Sequence, residues 1–358
     1  MSNKLFDIAL SLVFRHRLRR ALALVDHYGS AEAAWASLHE PGMADCMEQA
    51  KKELDWINEH GIRVWTLADE DYPWRLKQCP DKPLVLYGKG NIAPSEGHFV
   101  SIVGTRRPTE HGKELTRRLV KDLHERLDQL TVVSGGAYGI DIAAHRAALE
   151  FDVPTLLIPA HGLDRIYPYQ HRRDAIAILQ RGGLLTEFPS GTEPLPAHFL
   201  QRNRIIAGLS DVTVVVESKE RGGSLVTANM ALDYNRELVT FPGRPEDESS
   251  KGCNNLIRAD KAHLIGSADD LIALMGWKTR DAVSRPVQTT MVGLLGNLSD
   301  VQQTLLDKLQ EAEDGLHINF LVMETALPYE TVSSELMMLE LEGLVRSLPG
   351  GFYRFMRQ

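Results

Sequence analysis

Three short stretches of the sequence combine glycine with arginine or hydroxyl residues, which is the composition of a phosphate-binding loop. The first consists of Gly104, Thr105, Arg106 and Arg107. Gly104 would let the backbone approach a ligand closely, and the forked guanidinium groups match phosphate oxygens. Because an arginine pair in a loop is also an ordinary surface feature, this stretch alone leaves both interpretations open.

The second stretch begins with Ser134 and Gly135 and continues through Tyr138 to Asp141. Paired glycines between a strand and a helix aim backbone N–H groups at the space above the helix N-terminus, where the helix dipole favours an anion. The spacing differs from the dinucleotide fingerprint. The competing interpretation is that the glycines only permit tight packing of helix on sheet. Asp141 and His145 lie one helical turn apart, so an acid–base pair is a further alternative, beside a simple carboxylate at a helix start.

The third stretch contains Gly223 and Ser224, again after an apolar run. Ser224 is placed either to cap a helix or to bind a phosphate oxygen. Since all three stretches follow predicted strands, they would meet in one crevice. The three together therefore predict a phosphate-rich ligand better than any one of them does.

A fourth stretch contains Phe199, Arg202, Asn203 and Arg204. A nucleic-acid base can stack on an exposed phenyl ring while guanidinium groups hold the neighbouring phosphates, as in proteins that bind single strands. The alternative is that Phe199 packs in the core and Arg204 forms a structural ion pair. The sequence leaves these two interpretations level.

The elements that would position these stretches are apolar, β-branched runs that alternate with helical segments. Continuous apolar runs are typical of parallel strands, because helices cover both faces of such a sheet. The pattern predicts a doubly wound α/β sheet, in which ligands collect at the carboxyl ends of the strands. The runs are 100–103, 131–133, 155–158, 184–186, 212–216 and 238–241, and the helical segments are 113–127, 142–150 and 225–234.

Helical segments flank this region on both sides. Residues 1–70 are predicted to form a small helical domain, whose basic run at 15–20 either touches phosphates or is a solvated helix face. Residues 71–278 form the α/β domain, and 279–296 is predicted to be a linker. Residues 297–358 show three helices followed by a hairpin around a Pro-Gly-Gly turn, which is the outline of a winged helix.

Composition excludes several classes of protein. The 358 residues include 43% hydrophobic and 25% charged residues, which is a globular composition and allows two or three domains. No apolar run is long enough to span a membrane, and the first residues do not form a secretory signal. The widely spaced Cys46, Cys79 and Cys253 predict a reducing cytoplasm, without a disulfide framework or zinc ribbon. No metal site and no cofactor are expected.

The sequence resembles the DNA-processing protein A (DprA/Smf) family over about residues 72–277. The matching segments, in order, are 102–106, 134–141 with His145, 162–168, 202–210, 223–228 and 250–254. The resemblance implies an extended Rossmann-like domain between an N-terminal SAM-like or helix-hairpin-helix module and a winged helix. It also implies a homodimeric bacterial protein of the cytoplasm that protects single-stranded DNA during natural transformation and loads the RecA recombinase onto it.

The resemblance also assigns nucleic-acid contacts. Its anion pocket and strand path transfer to Gly104, Thr105, Arg106, Ser134, Gly135, Gly223, Ser224, Phe199, Arg202, Asn203 and Arg204, and Arg107 and Tyr138 are added here as neighbouring contacts. One position departs from the family pattern, because many members carry an arginine where this chain has Tyr138. The phosphate contact there is expected to be replaced by stacking or to be absent.

An enzymatic alternative comes from the same superfamily, which includes nucleotide phosphoribohydrolases. Those enzymes use a glutamate in the glycine loop that corresponds to residues 221–229, and this chain has no carboxylate there. A Walker A sequence is also missing. The sequence therefore favours a non-enzymatic binder of single-stranded DNA, with a phosphoribohydrolase as the alternative.

The net charge of −8 is unevenly distributed. From Ser299 to the end there are four basic and ten acidic residues, a net charge of −6, which leaves −2 for the preceding 298 residues. The third predicted helix, 331–341, carries Glu335 and Glu340 without lysine or arginine. Phosphates would repel that helix from a DNA groove. We therefore expect the winged helix to bind protein or its own chain, and DNA to bind locally in the α/β domain.

Overall fold

The computed structural model describes residues 3–15, 17–280, 298–312, 315–348 and 350–356. Residues 281–296 of the predicted linker lie outside this range. No helix among the described residues is both long and apolar enough to cross a membrane. The N-terminal helices are α1 (Asn3–Val13), α2 (Leu18–Tyr28), α3 (Ala31–Ala36) and α4 (Met43–His60).

Local signals define these N-terminal helices. The Ser30 hydroxyl accepts a hydrogen bond from the Ala33 N–H and caps α3, while Gly29 and Gly61 end α2 and α4 with φ angles of 77° and 61°. The buried face of α1, which includes Ile8 and Leu10, packs with residues of the first two strands of the sheet. The N-terminal helices are thereby attached to the edge of the α/β domain.

The described residues form a nine-stranded sheet in the order β1-β2-β6-β5-β4-β3-β7-β8-β9. β2 is antiparallel to both of its neighbours, and the other pairs are parallel. The strands are β1 (Arg63–Thr66), β2 (Val85–Gly90), β3 (His98–Val103), β4 (Leu130–Ser134), β5 (Thr155–Leu157), β6 (Gly183–Thr186), β7 (Val212–Val215), β8 (Glu237–Thr240) and β9 (His263–Leu264).

Helices cover both faces of this sheet, which confirms the predicted fold class. Alternate residues of β3 point in opposite directions, so Val100 and Ile102 lie in one core and Phe99 and Val103 in the other. The helices of this domain are α5 (Trp74–Lys77), α6 (Glu110–Arg126), α7 (Ile140–Glu150), α8 (Arg172–Arg181), α9 (Pro196–Leu209), α10 (Gly223–Asp233), α11 (Lys251–Arg258) and α12 (Ala268–Met275).

The strand order reverses between β3 and β7. From β3 the chain adds β4, β5 and β6 on one side, and it then returns to place β7 on the other side of β3. At such a switch point, the loops that follow the two strands diverge and leave a crevice at their carboxyl ends. The three predicted phosphate-binding loops follow β3, β4 and β7 and therefore surround this point.

The six strands predicted from apolar runs correspond to β3 through β8 within two residues at either end. The prediction missed β1, β2 and β9, which lie toward the two edges of the sheet. β1 also precedes residue 71, so the predicted division at that residue separates β1 from β2, its partner in the sheet. The domain boundaries remain predictions.

The C-terminal unit is a winged helix, as predicted. Its core contains residues of all three helices, including Leu306, Leu321 and Leu336. The hairpin formed by its last two strands, here called the wing, packs against the α/β domain, where the rings of Phe352 and Trp74 lie 6.4 Å apart between centroids. The elements are α13 (Asp300–Glu311), β10 (Leu316–His317), α14 (Ile318–Thr325), α15 (Tyr329–Leu341), β11 (Val345–Leu348) and β12 (Phe352–Phe355).

Candidate nucleic-acid interface

A cavity of about 280 Å³ lies at the switch point. Its walls come from the loops after β3, β4 and β7 and from one side of α9. We call it the switch-point pocket. Eight of the residues predicted from the sequence line it, namely Gly104, Thr105, Arg106, Phe199, Arg202, Asn203, Gly223 and Ser224.

Backbone hydrogen bonds hold the three loops together. The Thr105 N–H donates to the Glu217 carbonyl at 2.7 Å, and the Ile140 N–H donates to the Thr105 carbonyl at 3.2 Å. Gly139 has a φ of 89°, and a Cβ there would lie 2.1 Å from the Thr105 carbonyl oxygen. Glycine is thus required for the close approach of the first two loops.

Two helices begin at the pocket without a side-chain cap. Gly139 and Gly222 are the N-cap residues of α7 and α10, and neither helix start receives a hydrogen bond from a capping side chain. The first backbone N–H groups of a helix lack partners within it, and the helix dipole adds positive potential at the same end. In α7 the N–H groups of Ile140 and Ile142 already donate to the carbonyls of Thr105 and Ala137, so α7 attracts an anion mainly through its dipole. The start of α10 favours an anion in the same way.

Arg202 provides a buried positive charge beside these helix starts. Its side chain is on α9, the residue is only 3% exposed, and its Nη1 donates to the Ile158 carbonyl at 2.9 Å. Its Nε is buried without a hydrogen-bond partner. Burial lowers the pKa of the guanidinium to about 10, and the nearby Asp141 carboxylate raises it. Arg202 therefore stays protonated at neutral pH, with donor capacity left for a ligand.

Among the described residues that line the pocket, Asp141 carries the carboxylate, and it interacts with the Arg202 charge. Burial raises its pKa, whereas Arg202 and the backbone N–H groups of Ala137 and Gly135 lower it. The acid–base alternative also needed His145, which does not line the pocket. Its Nδ1 lies 2.8 Å from Thr155 Oγ1, and burial lowers its pKa to about 3. Asp141 therefore lies where it organises the loop and Arg202, whereas His145 contacts Thr155 away from the pocket.

Two guanidinium groups lie close to the ring of Phe199. The Cζ atoms of Arg106 and Arg202 lie 5.7 Å and 5.9 Å from the centroid of its ring, within the range of a cation–π contact. The ring is only half-buried, whereas Ile205 on the same helix is fully buried. Of the two interpretations of this helix, stacking therefore suits Phe199 and core packing suits Ile205.

Arg204 lies outside the pocket. Its guanidinium forms a buried ion pair with the Glu187 carboxylate and donates a hydrogen bond to the Asp81 carbonyl. The structure thus supports the ion-pair interpretation, and we leave Arg204 out of the proposed contacts. The spacing along α9 contains the signal for this difference. Phe199, Arg202, Asn203 and Ile206 have the i, i+3, i+4, i+7 spacing of one helix face, and all four line the pocket.

Four more of the predicted residues lie close to the pocket without lining it. Ser134 is fully buried and its hydroxyl donates to the Ile102 carbonyl at 2.6 Å, so its role is to connect β4 to β3. Gly135 lies against the Arg202 guanidinium. Arg107 and Tyr138 are exposed at the rim, and the Tyr138 hydroxyl donates to Gln170 Oε1 at 2.8 Å.

The sequence interpretation did not single out Lys219 and Arg221, which line the pocket from the loop after β7. Both are exposed cations next to the predicted Gly223 and Ser224. Their position between the end of a strand and a glycine-rich helix start could have identified them from the sequence.

The basic run near the N-terminus is partly neutralised, because Arg17 and Arg20 both contact the Glu40 carboxylate. Within the described residues, no cluster of side chains is suited to hold a metal ion.

Comparisons with known proteins identify the family of this chain. The profile of the DNA recombination-mediator protein A family matches residues 63–276, and that of the DprA winged helix domain matches residues 294–351. Protein Smf of Synechocystis is 35% identical over 334 residues, covering 84% of this chain and 83% of its own. DNA processing protein DprA of Streptococcus pneumoniae is 37% identical over 209 residues, covering 58% of this chain and 73% of its own.

Solved structures that are similar to this chain include two DNA processing proteins. DprA of Streptococcus pneumoniae superposes with a TM-score of 0.65 at 30% identity, covering 74% of this chain and 95% of its own. DNA processing protein A of Helicobacter pylori, described for its single-stranded DNA binding mode, has a TM-score of 0.53 at 31% identity and covers 59% of this chain and 94% of its own. This chain therefore belongs to the DNA recombination-mediator protein A (DprA) family.

Proposed function

We propose that this protein binds single-stranded DNA without catalysis, with phosphates in the switch-point pocket and a base against Phe199. The observation that carries the proposal is that the guanidinium groups of Arg106 and Arg202 lie 5.7 Å and 5.9 Å from the centroid of one half-exposed phenyl ring, in a pocket where two helices begin without a side-chain cap. A phosphate needs such donors, and a base needs such a ring. In a duplex the faces of the bases are already stacked on one another, so the ring favours a single strand.

The contacts of the pocket also support binding over hydrolysis. The Glu217 carboxylate, which begins the loop after β7, accepts hydrogen bonds from the N–H and the hydroxyl of Thr109 and turns away from the pocket. Asp141 accepts backbone N–H groups next to Arg202. Neither carboxylate is placed as the free acid or base that a phosphoribohydrolase needs. Hydrolysis of a nucleotide remains the alternative.

The wider role follows from the family. We propose that the bound strand is passed to the RecA recombinase, and that the DNA includes strands taken up by natural transformation. The support is the description of the family as recombination mediators and the naming of its Streptococcus and Bacillus members as DNA processing proteins. We also propose that the protein acts as a homodimer and that it does so in the cytoplasm.

A titration of labelled oligothymidylate and of duplex DNA over a range of salt concentrations tests the binding proposal. We expect tight binding of the single strand and weak binding of the duplex. Arg106→Ala and Arg202→Ala should each weaken single-strand binding and reduce the slope of log K against log salt by about 0.7 for each phosphate that the variant no longer neutralises. The control is Arg181→Ala, an exposed arginine on α8 that pairs with Asp152.

The outcomes of this titration separate the candidate functions. Single-strand binding that is unchanged in both pocket variants would show that the pocket is assigned wrongly. Release of a free base from a nucleoside monophosphate by the wild-type protein would favour the hydrolase instead. The RecA proposal is tested by the rate of RecA filament growth on a single strand, which should rise when this protein is added. Sedimentation of the purified chain tests the dimer.

A further inference from the structure

An exposed group of tyrosines lies beside the switch-point pocket. Among the described residues, the exposed aromatic side chains are Tyr28, Tyr138, Tyr167, Tyr169 and Tyr329. Three of these five, Tyr138, Tyr167 and Tyr169, occupy the loops after the neighbouring strands β4 and β5, at the same sheet edge as the pocket. Their exposed fractions are 42%, 51% and 73%. We call these three residues the tyrosine platform.

The platform is continuous with the pocket. The ring of Tyr167 lies 6.0 Å from that of Phe199, between centroids, at an interplanar angle of 62°. Phe199 is also the ring that lies close to the guanidinium groups of Arg106 and Arg202. Strands β3, β4 and β5 are neighbours in the sheet, so the end of β5 is two strand spacings from the end of β3. The loop after β5 therefore lies about 10 Å from the switch point.

Side-chain contacts hold Tyr138 and join the two loops that carry the tyrosine platform. The Tyr138 hydroxyl donates to Gln170 Oε1 at 2.8 Å, and its ring lies edge-on against His171 at 4.9 Å. His171 is buried, and its Nδ1 lies 2.9 Å from the Gly136 carbonyl oxygen. The loops after β4 and β5 are thus joined below the rings. Joining the loops restricts the backbone that carries the rings, which lowers the entropic cost of binding a base there.

Two arginines follow the tyrosine platform in the chain and lie at the start of a helix, where positive side chains are unfavourable. Arg172 and Arg173 occupy the first turn of α8 and are exposed. The first turn of a helix favours negative side chains, so two arginines there oppose the helix dipole. The acidic residue of this turn, Asp174, is paired with Arg146. Exposed rings next to cations that oppose a helix dipole are the composition of a surface that binds a single strand by stacking and phosphate contacts.

We propose that the single strand leaves the switch-point pocket across Phe199 and continues over the tyrosine platform, where bases stack on Tyr167 and Tyr169 and Arg172 and Arg173 hold phosphates. This inference rests on the proposed function and extends it, because it gives the strand a direction along the sheet edge from β3 toward β5. Stacking is tolerant of sequence, since every base has a π-face. The platform therefore lengthens the binding site without making it specific for one sequence.

The test compares two strands of equal length, oligothymidylate and an abasic deoxyribose-phosphate chain, in binding titrations with the full-length protein. Tyr167→Ala and Tyr169→Ala should each weaken oligothymidylate binding about fivefold to a hundredfold. Tyr167→Phe and Tyr169→Phe should bind like the wild type, because they keep the ring. The control Tyr329→Ala removes a tyrosine of similar exposure, 53%, from the winged helix.

Binding of the abasic chain separates stacking from a general disturbance of the site. Because that chain has no bases, its affinity should be the same for the wild type and both alanine variants, and the salt slope for oligothymidylate should not change. Tyr167→Ala also removes a ring that neighbours Phe199, so it changes the packing there. Tyr169→Ala avoids this change, because Tyr169 is the most exposed of the three tyrosines.

Three outcomes would overturn the inference or what it rests on. If both alanine variants bind oligothymidylate within twofold of the wild type while Arg202→Ala weakens it, the platform is wrong and the proposed function stands. If an alanine variant weakens both strands equally, the tyrosines do not act by stacking. If the wild type binds no single strand, the proposed function itself fails.

Discussion

The guanidinium group of Arg202 fills the space that a side chain at position 135 would need. A Cβ atom at Gly135 would lie 1.5 Å from Arg202 Nη1 and 2.4 Å from its Cζ. Gly135 follows β4, and Arg202 is on α9, so two stretches far apart in the sequence depend on each other in the pocket. The glycine thus determines where the buried charge lies.

This relationship predicts the effect of Gly135→Ala. The added methyl group must displace the end of a flexible arginine side chain, which costs less than moving backbone. We therefore expect a folded protein in which Arg202 has left its position, with single-strand affinity reduced nearly as much as in Arg202→Ala. The matched control is Gly266→Ala, where the nearest atom to the new Cβ is Asp270 Oδ2 at 3.5 Å. Wild-type affinity in Gly135→Ala would contradict the prediction.

Arg204 should be important for stability and not for DNA binding. Removing one partner of a buried ion pair leaves an unpaired buried charge, so Arg204→Ala should lower the free energy of unfolding by about 3–5 kcal/mol. Urea unfolding measures this loss, and Glu187→Gln should also destabilise the protein. The affinity of folded Arg204→Ala for oligothymidylate should equal that of the wild type. Weaker binding without a loss of stability would return Arg204 to the interface.

Stability should depend on pH through His317 at the start of α14. Burial lowers the pKa of this imidazole from 6.5 to about 4, the Arg236 charge lowers it further, and Asp211 raises it. As the pH falls below 6.5, the unfolded chain takes up the proton first, so stability is lost between about pH 6.5 and pH 4. We expect a cost of about 1 kcal/mol at pH 5.5 relative to pH 7.5.

The variant His317→Asn isolates this contribution. The imidazole Nδ1 accepts the Asn319 N–H at 3.1 Å as the N-cap of α14, and asparagine can also cap a helix but does not titrate in this range. Urea midpoints at the two pH values should therefore differ less in the variant than in the wild type. Equal pH dependence in both proteins would assign the effect to other groups, such as the buried His145.

The winged helix should not bind duplex DNA. The exposed side of α15 carries Met337, Met338, Leu341 and Glu340, which are apolar or acidic residues. The wing, which could reach DNA in other winged helices, packs here against Trp74. We expect residues 297–358 alone to show no binding to a labelled duplex even at low salt. Tight binding that weakens as salt is added would contradict this expectation.

The sequence by itself determined the fold class and the position of the pocket along the chain. Strands buried on both faces must be apolar throughout, so the central strands β3 to β8 are visible as continuous runs. The glycines that permit close loop contacts, such as Gly104 and Gly139, follow directly from the sequence as well. Strands toward the sheet edges escaped detection. The two residues of β9 are both exposed, and β1 and β2 include the charged residues Arg63 and Lys89, so none of the three is apolar throughout.

Only the tertiary structure decided which residues of α9 face the pocket. Arg202 and Arg204 lie two positions apart, which on a helix places their side chains about 200° apart around the axis. One of them is therefore directed to the crevice and the other to Glu187, and the choice depends on how α9 packs on the sheet. The tyrosine platform likewise exists only because β4 and β5 are neighbours, which joins two loops that local sequence patterns cannot connect.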